Sequence, residues 1–149
     1  MKFEIPKAMK AEHDELHEQL VRATKAGGAT GEAAKAVAKV LHAHFVKEEE
    51  YALPPLGLLP VLAQGKVTPE MRAVLEMTDK LAAELPQMLA EHGVIVGALR
   101  KLVEAAKAES KPEVAAFAEE LMLHAQAEEQ VAYPAALLIG RYVKAALGA

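Results

Sequence analysis

Histidines stand inside the apolar stripes of four amphipathic patterns, and two of those stripes add a glutamate four residues after the histidine. Met9, His13, Leu16 and Leu20 are spaced 4, 3, 4, and Val37, Leu41, His44, Glu48 and Tyr51 are spaced 4, 3, 4, 3. Met88, His92, Ile95, Leu99 and Leu102 follow the same rhythm. Val114, Phe117, Leu121, His124, Glu128 and Val131 are spaced 3, 4, 3, 4, 3. Each series is one face of a helix. Such faces are buried against one another, which predicts an all-α fold, a bundle of four principal helices. The polar members of each stripe then face its interior.

The stripes are related by an internal repeat. Leu41–Pro54 reads LHAHFVKEEEYALP and Leu121–Pro134 reads LMLHAQAEEQVAYP. His, Glu, a second Glu, Ala and Pro recur between them at an offset of 80 residues. MKAEHDELHEQL from Met9 and MLAEHGVIVGAL from Met88 share Met, Ala, Glu, His and a final Leu at an offset of 79. The chain is two copies of one unit, a helix with a His followed by a helix with His-x-x-x-Glu. That period is too long for a solenoid repeat, so it predicts an internal pseudo-twofold.

Punctuation sets the expected boundaries. A first helix runs from Pro6 to about Ala26, where Gly27-Gly28 stops it. A second starts after Thr30 as N-cap and continues to Pro54-Pro55. Pro54 to Gly65 reads as a packed connector with room for a short helical turn. Thr68-Pro69-Glu70 opens a pattern reaching Ala108. At 1.5 Å per residue a straight helix of that length would span roughly 60 Å, so Pro86 is expected to kink or split it. Ser110 to Glu113 has the form of a capping box opening the last principal helix. Pro134 is expected to interrupt that helix and leave Ala135 to Leu147 as a short terminal one.

Composition narrows the function. The 149 residues suit a single domain, 1–149, with a sizeable core. A formal charge of −4 gives no means of neutralising phosphates, so nucleic acid is not expected as a partner. No apolar run reaches the span of a membrane, and no secretory signal precedes the first helix, so a cytoplasmic location is expected. Without cysteine there is no disulfide, zinc–thiolate site or thiol chemistry. The apolar connector and terminal helix can pack on this chain or on a second copy, leaving monomer and homodimer both open.

An unpaired buried carboxylate costs several kcal/mol, on the order of one core leucine or more. His13, His44, Glu48, His92, His124 and Glu128 all at stripe positions therefore need a common compensator, and a metal centre supplies one. His and Glu four apart lie roughly 5–6 Å from each other, within reach of one ion or two neighbouring ions. With imidazole and carboxylate donors only, the site suits non-haem iron or manganese, and other divalent metals such as zinc remain compatible. His42 lies on the opposite face from His44, and Met71, Met77, Met88 and Met122 read as core packing.

AEHDEL at His13, HFVKEEEYALP at His44, LPQMLAEHGVI at His92 and HAQAEEQVAYPAALLIG at His124 resemble the hemerythrin-like, or HHE cation-binding, domain family. The resemblance covers nearly the whole chain, with the motifs in family order. It implies an up-down-up-down four-helix bundle around two non-haem iron ions, oxo- or hydroxo-bridged. It also implies dioxygen, or related peroxide and nitric oxide chemistry, as the small-molecule partner. A di-iron oxidoreductase, either a ferroxidase or a peroxide- or nitric oxide-consuming enzyme, is the alternative. Oxygen-carrying members place one more histidine a turn before His92, where this chain has Met88. His17, Glu49, Glu129 and Tyr133 are the candidates to complete the site instead.

Overall fold

The computed structural model describes residues 1–148, all in helices and short connections, with no strand among the described residues. Helices α1 (Lys7–Thr24), α2 (Gly28–Lys47), α4 (Val74–Ala108) and α5 (Pro112–Ala127) form the bundle. Each packs on its neighbours in the chain, and α5 returns to α1. The links between α1 and α2 and between α4 and α5 are a few residues long, which forces antiparallel neighbours. The up-down-up-down bundle that the resemblance implies is the fold.

Between α2 and α4 the chain runs through a 3₁₀ turn (Pro54–Leu58), a short α3 (Leu59–Ala63) and a second 3₁₀ turn (Pro69–Ala73). A terminal helix α6 (Tyr133–Leu147) packs on the N-terminal half of α4 and on the Pro54–Leu58 turn. That docking explains how α4 continues past Pro86 without splitting there. At 1.5 Å per residue its 35 residues span about 52 Å. The end that outruns the bundle is covered by α6 and the connector, so it is not stranded in solvent.

Two local expectations are corrected. Helix α2 begins at Gly28, and Thr30 is a buried residue of its first turn. Its cap comes from the far end of α4, where Glu109 Oε1 accepts the Thr30 N–H at 2.7 Å and also the Thr30 hydroxyl. Ser110 forms no capping box, because the tight α4–α5 turn puts it in the left-handed region, φ 57°. Helix α5 therefore starts with Lys111 at the N-cap and no side-chain cap.

Each half also carries a feature that stripe spacing does not show, a single π-helical turn after the His-x-x-x-Glu motif: Glu48–Ala52 in one half, Glu128–Ala132 in the other. The amide of Leu53 reaches back five residues to the Glu48 carbonyl at 2.8 Å, and Tyr133 reaches Glu128 in the same way. In the second half this turn, not Pro134, interrupts the helix. Pro134 lies in the first turn of α6, where a missing N–H costs nothing.

The core has two apolar clusters. One, around Leu16, Val37, Leu41, Leu99 and Phe117, fills the bundle toward the short links. The other, around Tyr51, Leu53, Met71, Leu81 and Met88, fills the end beneath α6 and the connector. The histidines fall between the two clusters along every helix.

Candidate metal centre

His13, His44, Glu48, His92 and Glu128 are buried, and the His124 side chain is only 8% exposed. The structure gathers all of them into two adjoining groups. His44, Glu48, His92 and Glu128 form one; His13, His124 and Glu128 form the other, with donor atoms in each group within 4.8 Å of one another.

The two carboxylates join the groups. Glu48 Oε2 lies 3.5 Å from His44 Nε2, and its Oε1 lies 3.7 Å from His13 Nε2. Glu128 Oε1 lies 3.5 Å from His92 Nε2, while its Oε2 lies 3.3 Å from His13 Nε2 and 3.2 Å from His124 Nε2. Each glutamate thus turns one oxygen to each group, the disposition a bridging carboxylate needs.

Second partners set the direction of the rings. His44 Nδ1 is 2.8 Å from Glu91 Oε1, and His92 Nδ1 is 2.9 Å from Glu129 Oε1. His124 Nδ1 bonds Glu12 Oε1. A carboxylate on Nδ1 leaves Nε2 free to face the centre, the usual support for a metal-binding histidine. Glu91 is itself held by Lys47 at 2.7 Å. Against the effect of its partial burial, Lys47, His44 and Gln87 hold its carboxyl down at about 2. His13 lacks such a partner and stacks on Phe45, ring centroids 4.3 Å apart.

Glu12 and Glu91 went unassigned in the sequence, although the signal was present. Each immediately precedes the histidine of the AEH repeat, and each orients a histidine on a neighbouring helix. Glu129 orients His92, whereas its counterpart Glu49 pairs with Lys10 at 2.6 Å and takes no part in the centre. His17 and His42 are both exposed and line a groove between α1 and α2, away from the two groups. His17 therefore completes nothing.

Tyr133 does enter the centre. Its hydroxyl donates to Glu48 Oε2 at 2.5 Å and lies 3.2 Å from His44 Nε2 and 3.1 Å from His92 Nε2. Met88 is fully buried in the apolar cluster below. The π-turn explains the tyrosine's position. Five residues of α-helix rotate a side chain about 140° off the Glu128 face, whereas an i→i+5 turn nearly restores it.

Without metal, the cluster is held together by protons. Burial, and then Glu128 beside it, pushes the Glu48 carboxyl up to about 7. Burial acts in the same direction on Glu128, but the neighbouring Glu48, His124, His13 and His92 hold its carboxyl well below the ordinary range. Burial lowers the basicity of His44 and His124, yet Glu48 raises the first and Glu128 with Glu12 raises the second, to about 9. Burial and both carboxylates push the Tyr133 phenol upward. Among the described residues, buried Glu48 Oε1 and His124 Nε2 have no hydrogen-bond partner. Native interiors rarely leave such atoms unsatisfied. Here they face a constellation of imidazole nitrogens and carboxylate oxygens that can hold a metal ion, and the residues fit one.

Comparison with known proteins agrees with this chemistry. Residues 4–136 match the family described as hemerythrin HHE cation binding domain. No curated protein and no solved structure gave a significant match.

Proposed function

Because this chain belongs to the hemerythrin HHE cation-binding domain family, we propose that it is a non-haem di-iron protein that binds or senses dioxygen, or the related peroxide and nitric oxide. The observation that carries this reading is the division of oxygens: Glu48 and Glu128 each offer one to both histidine groups. One iron would be held by His44, His92, Tyr133 and an oxygen from each glutamate. The other would be held by His13, His124 and the remaining oxygens. Other divalent metals fit the same donors.

Bound iron supplies a Lewis-acid site and a one-electron couple at each position. The protein supplies the rest. Glu91, Glu129 and Glu12 fix three imidazoles before metal arrives, so little ordering remains to be done on binding. The apolar clusters above and below exclude water. The position at His13 and His124 has one protein donor fewer, which leaves room there for an exogenous molecule.

Tyr133 favours the second reading, a di-iron oxidoreductase that oxidises ferrous iron or consumes peroxide or nitric oxide. A phenolate is a hard anionic donor and stabilises ferric over ferrous iron more than an imidazole does. Reversible oxygen carriage needs the ferrous state to be regained on release.

Anaerobic loading with ferrous iron, followed by air and then a nitrogen purge, separates the two readings. A visible band that appears with air and vanishes on purging means reversible binding. A band that persists at two irons per chain means irreversible oxidation and the enzyme reading. Elemental analysis tests the centre itself: Glu128→Ala and His44→Ala each lose at least one metal per chain, whereas His42→Ala keeps full occupancy. Equal metal content in all three variants would sink the assignment.

A further inference from the structure

A groove of about 300 Å³ runs from the surface to the side of the centre that has fewer donors. His124 and Glu128 form its inner end, and Glu12 lies beside them. Its walls are apolar: Met9 from α1, Leu56 and Leu59 from the connector, and Val131 and Ala135 beyond the π-turn. Leu59 and Ala135 also border a second apolar cavity of about 310 Å³, which continues along α6 past Leu138 and Tyr142. The lip is conspicuously greasy, with Val131 67%, Leu138 65%, Tyr142 45% and Leu59 42% exposed.

A lane of this size is within the range of organic-ligand sites and far larger than a diatomic gas requires. Its two ends differ in chemistry. At the inner end the buried His124 Nε2 lies 3.2 Å from Glu128 Oε2, on the side of the centre with one donor fewer. The outer end offers only aliphatic and aromatic surface.

We propose that the groove binds an aliphatic molecule with an oxygen head, an alkyl hydroperoxide, for which the alcohol of the same shape is an unreactive probe. The head lies at the His13–His124 position and the tail runs between α3 and α6. This rests on the di-iron reading and narrows its peroxide class from hydrogen peroxide to organic hydroperoxides.

Calorimetric titration of the iron-loaded protein with 1-alkanols from ethanol to octanol tests it without turnover. If the tail is buried, affinity rises roughly fourfold per methylene, from about 0.8 kcal/mol for each. Ala135→Phe, which fills the junction of the two cavities, abolishes that chain-length dependence while leaving the iron content unchanged. A flat series in the iron-loaded protein overturns the proposal. So does sedimentation showing a homodimer that Ala135→Phe dissociates, because the lane would then be covered by a second copy. A chain that holds no iron by elemental analysis refutes the underlying di-iron reading instead, so the two failures are told apart before any alkanol is added.

Discussion

Removing the metal should reverse the usual effect of pH on this protein. In the metal-free protein Glu48 moves from an ordinary 4.5 to about 7, because its burial penalises the charged form. The folded chain then binds more protons than the unfolded chain between those values, so stability falls as pH rises through that window. At 1.36 kcal/mol per pH unit the loss is about 3 kcal/mol. His124, raised from 6.5 to about 9 by Glu128 and Glu12, carries the same sign through the next window. Its stabilisation is fully present below 6.5 and lost as pH rises through about 9, again about 3 kcal/mol. His44 acts in the same direction. Glu128 and Glu91, held low, act only below 4.5. The groups share one cluster, so their effects add to less than their sum. Metal-free protein should thus lose several kcal/mol between pH 5 and 9, a large fraction of the total stability of a small domain. Metal takes the place of those protons and binds more tightly as pH rises, so the loaded protein should show no such loss. Urea unfolding of both forms from pH 5 to 9 is the assay. A metal-free midpoint that is constant or rises over that range would refute the account of a centre held by protons.

Three substitutions probe separate links. Glu91→Ala removes the acceptor on His44 Nδ1 and should weaken metal affinity about 10–100-fold in a chelator competition, with Glu120→Ala at an exposed position as the unaffected control. Tyr133→Phe should abolish phenolate-to-ferric absorption in the iron-loaded protein, and an unchanged visible spectrum would remove Tyr133 from the donors. Gly140→Ala places a Cβ 2.3 Å from Thr78 Oγ1 and 2.6 Å from its Cβ, where α6 crosses α4. Overpacking of this kind costs about 1–3 kcal/mol, read as a lower denaturation midpoint with the metal content retained.

The sequence was most legible where helical periodicity alone decides the outcome. A residue spaced 3 or 4 from buried leucines is itself buried, so His13, His44, Glu48, His92, His124 and Glu128 could be placed in one interior before any coordinates. The repeat added the pseudo-twofold. It also contained Glu12 and Glu91, readable as the partners of His124 and His44 only once one asks which carboxylate crosses to which helix. Local signals were less dependable. Ser110 has the right neighbours for a capping box, yet the turn joining α4 to α5 overrides it. Thr30 looks like an N-cap, yet Glu109, distant in the chain, performs that task.

By itself, then, the chain's pattern determined an all-α bundle and the histidines and glutamates at its centre, because burial follows from a 3.6-residue period. Tertiary structure alone decided which further side chain reaches them. Tyr133 lies off the α-helical stripe and reaches His44, His92 and Glu48 only through a π-turn, whose extra residue resets the helical phase. Packing of α6 and the connector against α4 likewise keeps that helix whole through Pro86. Both outcomes depend on contacts between segments far apart in sequence, and a local periodicity carries no record of those.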